Sequence, residues 1–381
     1  MNVCHIITRM ILGGAQENTL LTCEGLHARG HEVTLATGPA LGPEGELMNR
    51  ARADGYRVVV LDDLRREIRP LRDARACAAL KRLLAELRPD VVHTHSSKAG
   101  ILARKAAAAL GETKIVHTIH GLAFHPYEKW WKNRLYIALE RRAARTTDAL
   151  ISVADAMTAQ ALAAGVGRPG QYTTIYSGME VETFLSRPRE ADEFRAALRL
   201  PNDAVLVTQV SRLAELKGHE YILDAAMRIA DPRVHFCFVG DGKLRRRIEA
   251  EIGRRGLAGR FRLTGLLDPA QIPAVMHASD IVVHCSLREG LARALPQAML
   301  AARPVVSYDV DGAREVVTPE TGILLPPRDV EGLALAVETL ARTPALRERL
   351  GQAGRQLCRE RFDHRRMVEQ IEAVYQRITN A

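Results

Sequence analysis

The 381-residue chain contains no apolar run near the roughly 18 residues that a membrane-spanning helix needs, so no spanning helix is expected. It contains no Cys-x-x-Cys pair. Its cysteines, Cys4, Cys23, Cys77, Cys237, Cys285 and Cys358, are scattered and mostly flanked by apolar residues, which sets aside a zinc cluster or a redox pair and points to buried thiols in a reducing cytoplasm. There is no Walker sequence, no Gly-x-Gly-x-x-Gly, no repeat and no low-complexity segment. The short apolar start, Met1 to Thr8, runs straight into Arg9 without a basic leader or a small-residue cleavage site, so no signal peptide is expected.

What is present is ample material for cores: 47% of residues are hydrophobic and 26% charged, which excludes disordered, collagen-like and disulfide-stapled classes. At about 100–200 residues per domain, the length suggests two domains. The net charge of +9 is compatible with nucleic acid, an anionic membrane or phosphorylated substrates. No nucleic-acid-binding module is recognisable, so nucleic acid is not expected as a partner.

Short β-rich runs alternate with helical patterns. Strands are expected near residues 3–7, 32–36, 57–61, 90–94, 114–118, 149–153 and 172–175, with helix-like runs at 71–87 and 100–110 between them. After a linker-like stretch from Ser177 to Pro188 the pattern restarts, with strands near 204–210, 234–239, 260–264, 281–284, 304–307 and 322–325. Such alternation predicts two doubly wound parallel α/β domains with a cleft between them, and ligands at the carboxyl ends of the strands.

Several strand ends carry candidate chemistry. Gly13-Gly14 lies between the first strand and its helix, where the backbone can approach an anion, although a plain tight turn explains it equally. Arg212 and Lys217 bracket the first turn of the second half; Arg grips phosphate bidentately and Lys acts as a point charge. Gly240-Asp241-Gly242 is a second glycine turn. Glu289, in Arg288-Glu289-Gly290-Leu291 before a helix carrying Gln297, either accepts sugar hydroxyls or caps that helix. His93, His95, His117, His120 and His125 gather in the first half. No carboxylate lies at a familiar ligand spacing, so no metal site is expected, and His120 at a strand end is the best candidate for a hydrogen-bonding or catalytic histidine. Both tryptophans fall among lysines and arginines between Tyr127 and Arg145, which fits an interfacial membrane helix or a helix that buries Trp and Leu on the sheet. The basic run Arg65–Arg88 reads as a solvated helix face, with membrane contact as the alternative.

In order along the chain, Gly13-Gly14, Asp90-Val91-Val92-His93-Thr94-His95, Lys98-Ala99-Gly100, His117-Thr118-Ile119-His120-Gly121, Ser211-Arg212-Leu213 with Lys217-Gly218, Val239-Gly240-Asp241-Gly242 and Arg288-Glu289-Gly290-Leu291 resemble the retaining GT-B glycosyltransferases of family four. The segments 97–100 and 120–121 particularly resemble the branch that builds capsular, exopolysaccharide or O-antigen units. The resemblance implies an acceptor-binding domain at 1–180, a nucleotide-sugar-binding domain at 181–362, and a helix at 363–381 that packs back on the first domain.

The resemblance also implies roles. Arg212, Lys217 and the turn Gly13-Gly14 would hold the donor diphosphate. Glu289 would hold the transferring sugar, with Gly290 and Leu291 beside it, and His120 would lie close to the reacting centre. Gly240 and Gly265 would line the nucleotide pocket. Gln297 stands where the family usually has a second glutamate for the ribose hydroxyls; an amide can still accept and can also donate. The implied activity is metal-independent transfer of a hexose-type sugar, with retention, from a UDP-sugar, or second a GDP-sugar, to a lipid-linked or polysaccharide precursor. It needs no cofactor beyond the donor. The expected location is cytoplasmic, on the inner face of the membrane, with the acceptor recognised between Gly38 and Arg72 and around residues 121–134. A degenerate sugar-nucleotide-binding scaffold, to which Gln297 gives support, and a GT-B epimerase or phosphorylase are the alternatives.

Overall fold

The computed structural model describes residues 1–41, 47–111 and 113–380. The chain divides into two units, Met1–Met179 with Asp363–Ala381, and Glu180–Phe362. In the first, seven strands form one parallel sheet: β1 (Asn2–Ile7), β2 (Glu32–Thr37), β3 (Arg57–Val60), β4 (Val91–His95), β5 (Lys114–Ile119), β6 (Ala149–Ser152) and β7 (Tyr172–Thr174). Their order is β3-β2-β1-β4-β5-β6-β7. In the second, β8 (Val205–Val210), β9 (Val234–Val239), β10 (Phe261–Gly265), β11 (Ile281–His284), β12 (Val305–Tyr308) and β13 (Gly322–Leu325) form a six-stranded parallel sheet in the order β10-β9-β8-β11-β12-β13. Both sheets reverse direction beside their first strand, which is the doubly wound arrangement that the alternating pattern predicts.

Most of the strands are rich in Val, Ile, Leu and Phe because both faces of a parallel sheet are covered by helices. Val205, Val207, Phe236, Phe238, Ile281 and Val283 belong to one core cluster of the second unit. There Phe236 stacks on Phe261 with centroids 4.7 Å apart. In the first unit the helix His364–Thr379 packs on the helix Gly14–Ala28. It buries Met367, Val368, Ile371, Val374, Tyr375 and Ile378, the stripe that a 3.6-residue period places on one face. Its polar edge is tied down as well, with Glu372 2.9 Å from His31 and 2.7 Å from Arg29.

All six cysteines are free and buried. Burial pushes the Cys4 and Cys237 thiols up to about 12, leaving them inert as nucleophiles at neutral pH. The helix Trp130–Ala144 corrects one of the two readings of its sequence: it does not bury its tryptophans on the sheet. Trp130 is 71% exposed and Trp131 50%, and Leu135 and Leu139 are exposed on the same helix. No helix among the described residues is long and apolar enough to cross a membrane.

Candidate active site

In a parallel sheet every carboxyl end lies on the same edge, and that edge collects the candidate residues of each unit. In the second unit β8 leads into the loop 211–218 and β11 into the loop 285–293. The two loops are stitched together. The Leu287 N–H donates to the Leu216 carbonyl at 2.8 Å, and the Ser286 hydroxyl donates to the same carbonyl at 3.0 Å. Gln209 donates to the Lys217 carbonyl at 3.0 Å. Gly218 has a positive φ of 73°, and a Cβ there would lie 1.9 Å from the Cys285 carbonyl oxygen. Only glycine lets the loops approach this closely.

The stitching brings Lys217 to Glu289, 72 residues further on, in a direct ion pair. His284, at the end of β11, places Nε2 3.1 Å from the same carboxylate oxygen. The Glu289 N–H donates to Asp311 at 2.7 Å. Burial alone would raise the Glu289 carboxyl, but Lys217 and His284 outweigh it and hold the group well below the usual carboxylate range. The site therefore holds a fixed anion touching a cation at the mouth of the sheet. Glu289 does not cap the following helix, Ala294–Leu300, whose N-cap is Arg293.

Arg212 is exposed in the loop after β8. Gly240 donates its N–H to the Gly265 carbonyl at 2.9 Å, joining the ends of β9 and β10. A Cβ at Gly240 would sit 2.1 Å from the Ser211 carbonyl oxygen, so this turn lies directly against the β8 loop. Gly290 accepts from the Gly312 N–H at 3.0 Å, and Leu291 follows, half-buried. Gln297 is half-buried on the helix Ala294–Leu300.

In the first unit Gly13 is the N-cap of the helix after β1, and its carbonyl accepts from Glu17 at 3.0 Å. His120 follows β5 and lines a cavity of about 250 Å³, together with Ser96, His117, Gly121, Phe124 and Glu140. Beside this cavity Arg104, fully buried, donates to Glu140 at 2.6 Å. Lys98, singled out with Ala99-Gly100 in the sequence, is engaged by Asp73 at 2.7 Å and so links two helices. Residues 42–46, part of the stretch expected to recognise an acceptor, lie outside the described residues.

Sequence reasoning missed His284 and Asp311, which support Glu289, and His5, which lies beside His95. The only signal for His284 was its place as the last residue of a strand; Asp311 is brought in by tertiary packing and a positive φ of 48°.

The chain was compared with known proteins. Residues 13–178 match the glycosyl transferase 4-like domain and residues 190–357 the glycosyl transferases group 1. The chain is 31% identical over 351 residues to 2-deoxystreptamine N-acetyl-D-glucosaminyltransferase of Streptomyces fradiae, covering 85% of this chain and 82% of that one. It is 28% identical over 343 residues to UDP-Gal:alpha-D-GlcNAc-diphosphoundecaprenol alpha-1,3-galactosyltransferase of Escherichia coli, covering 88% and 87%. Among solved structures, Anabaena HepE in complex with UDP-glucose superposes with a TM-score of 0.85 at 23% identity, covering 99% of each chain.

Proposed function

The chain belongs to the GT-B glycosyltransferases of family four, and we propose that it moves a hexose-type sugar, with retention, from a UDP-sugar to a lipid-linked or polysaccharide precursor. The observation that carries the donor half of this reading is the meeting of Lys217 and Glu289 at the carboxyl ends of β8 and β11. A diphosphate leaving group gains negative charge in the transition state. Lys217 and Arg212 would take up that charge, and the reaction would need no metal ion. Glu289 would then turn from Lys217 to the hydroxyls of the transferring sugar, its charge kept in place by His284. Gly240 and Gly265 would border the nucleotide, Gly290 and Leu291 would offer backbone N–H groups, and Gln297 would hold the ribose. UDP is favoured because the E. coli relative is named for UDP-galactose and the Anabaena structures hold UDP or UDP-glucose; a GDP-sugar is the second choice. The lipid-linked acceptor follows the same relative, which is named for a diphosphoundecaprenol substrate.

A place on the inner face of the membrane accords with the exposed Trp130, Trp131, Leu135 and Leu139, flanked by Lys129, Lys132 and Arg134. Turnover of UDP-hexoses against undecaprenyl-diphosphate-linked sugars tests the function, with the product anomer read by NMR and the assay repeated in chelator. Transfer with the donor's anomeric configuration, unaffected by chelator, is expected; an inverted product or a chelator-sensitive rate contradicts the mechanism. Gln297 alone favours the scaffold reading. Tight UDP binding without transfer, gained on Gln297→Glu, would establish it.

A further inference from the structure

The cavity beside β5 in the first unit has one charged wall that donor binding does not account for. The helix Trp130–Ala144 leaves most of its residues exposed or half-buried, and the two it buries are Glu140 and Ala144. The alanine is ordinary; the glutamate is not, because Glu is almost never buried unless it is paired. Its partner is Arg104 on the helix Ser97–Ala107, and Arg104 is itself fully buried. The guanidinium donates from Nε to the Gly100 carbonyl at 2.9 Å and from Nη2 to Glu140 Oε2 at 2.6 Å. Its Nη1 is buried without a partner. Such a pair is a poor means of joining two helices, since apolar residues of similar volume often hold as well or better.

What the pair does accomplish is to fix a carboxylate in the wall of the cavity. Glu140 belongs to the lining and Arg104 does not, so a bound group meets the anion and not the cation. Arg104 takes Oε2, and no hydrogen bond among the described residues holds Oε1. His117, on β5, lines the same cavity and is 3% exposed. Its Nδ1 lies 2.8 Å from Thr94 Oγ1, and its Nε2 has no partner among the described residues. A Cβ at Gly100 would come within 2.5 Å of the His117 ring, so the ring is packed firmly against the start of the Arg104 helix. Ser96 adds a hydroxyl, and Phe124 and Val166 supply apolar surface.

We propose that this cavity holds a sugar ring of the acceptor, and that Glu140 and His117 select an uncharged ring that donates hydroxyl or amide protons over one that carries a carboxylate. Arg104 acts through Glu140 as a positioning residue. The inference rests on the proposed reading of the first unit as the acceptor domain.

The chemistry of the wall gives the selectivity. An ionised carboxylate accepts hydrogen bonds and donates none, so its occupant must donate. A phosphate or a uronate would set a second anion beside it, in a partly closed space where charges are little screened. The diphosphate of a lipid-linked acceptor is kept out on the same ground. Burial first, and the Arg104 charge second, hold His117 well below the usual histidine range, so the ring adds no cation to offset Glu140. A pyranose offers hydroxyls at its edge and C–H groups on its faces, which suits a few fixed polar groups set in an apolar lining.

The test uses the full-length protein and three probes, methyl α-glucopyranoside, methyl N-acetyl-α-glucosaminide and methyl α-glucuronide, with binding read by NMR titration. The two uncharged glycosides should bind, and the glucuronide should bind about tenfold more weakly or worse. Glu140→Gln keeps the shape and removes the charge that faces the cavity, leaving Arg104 without its anion. It should weaken the uncharged glycosides about 10–100-fold and bring the glucuronide level with them or ahead. His117→Gln should weaken all three about tenfold and leave their order unchanged. In the transfer assay both variants should raise the acceptor KM while the donor KM stays within about twofold. Should Glu140→Gln fail to fold, Arg104→Met combined with Glu140→Leu removes both charges together, and it too should abolish the preference against the glucuronide. Uncharged glycosides that do not bind the parent, a glucuronide that binds it equally well, or a preference that survives removal of the Glu140 charge would each overturn the proposal. So would a change in donor KM in place of acceptor KM. Binding of UDP reports separately: its failure in the parent sinks the donor reading, and the charge preference among the glycosides still decides the chemistry of the cavity.

Discussion

Glu289 shows how a single residue type becomes informative only in its surroundings. In the sequence it fits a helix cap as well as a sugar ligand. In the fold it caps nothing, and it is held ionised by Lys217 and His284. Removing Lys217 would leave that carboxylate without its ammonium partner in a site that is largely closed. Lys217→Met should therefore cost about 1–3 kcal/mol, less than for a fully buried pair because both side chains keep about a fifth of their exposure. Urea midpoints of the two proteins measure this. Glu289→Gln removes the charge but keeps the shape, so it should cost less stability than Lys217→Met while lowering kcat/KM about 10–100-fold. Equal activity in Glu289→Gln would remove this residue from the reacting centre.

Strands were the most legible elements, because most strands of a parallel sheet are rich in β-branched and other apolar residues and several are followed by glycine-bearing turns. All 13 expected strands lie where the composition put them. Helix starts were less legible: the helix read from Gly100 begins at Ser97, behind a Ser96 with a positive φ of 64° that no propensity announces. Of the candidate site, the glycines, Lys217 and Glu289 could be read from loops after strands. His284, Asp311 and His5 could not, because their contacts arise from strand order and loop packing.

The stitched loops of the second sheet yield a prediction at this scale. Gly218→Ala forces a Cβ against the Cys285 carbonyl in a left-handed conformation, and should destabilise the protein by about 2–4 kcal/mol in denaturant titrations. A neutral result would mean that the two loops are not held as described. The helix Trp130–Ala144 yields another. Both tryptophans of the protein sit on it, so intrinsic Trp fluorescence reports on this patch alone. Anionic vesicles should shift it to the blue and zwitterionic ones should do so far less. No shift with either would remove the proposed membrane contact.

At the scale of the whole molecule, the buried histidines link stability to pH. Burial lowers His5 to about 3, His219 and His277 to about 4, and His93, His95 and His117 well below 6.5, their ordinary value. The folded chain keeps these rings neutral while the unfolded chain protonates them near 6.5, so the unfolded state binds more protons between those values. Stability is then full above about pH 6.5 and falls as the pH drops towards 4, by up to about 2 kcal/mol per buried ring at pH 5. Denaturant midpoints at pH 7 and pH 5 check this, and a flat midpoint would contradict the burial of neutral imidazoles.

Membership of the family makes the chain a glycosyltransferase. In the proposed reaction the second unit takes the nucleotide sugar through Arg212 and Lys217. The most direct measurement is thermal unfolding in the presence of UDP, GDP, ADP and their sugar conjugates, repeated with Arg212→Ala. A nucleotide at 100 times its dissociation constant should add about 2.7 kcal/mol. A raised melting temperature is expected with UDP and UDP-hexoses, largely lost in Arg212→Ala. No rise with any nucleotide, or a rise that Arg212→Ala leaves intact, would contradict it.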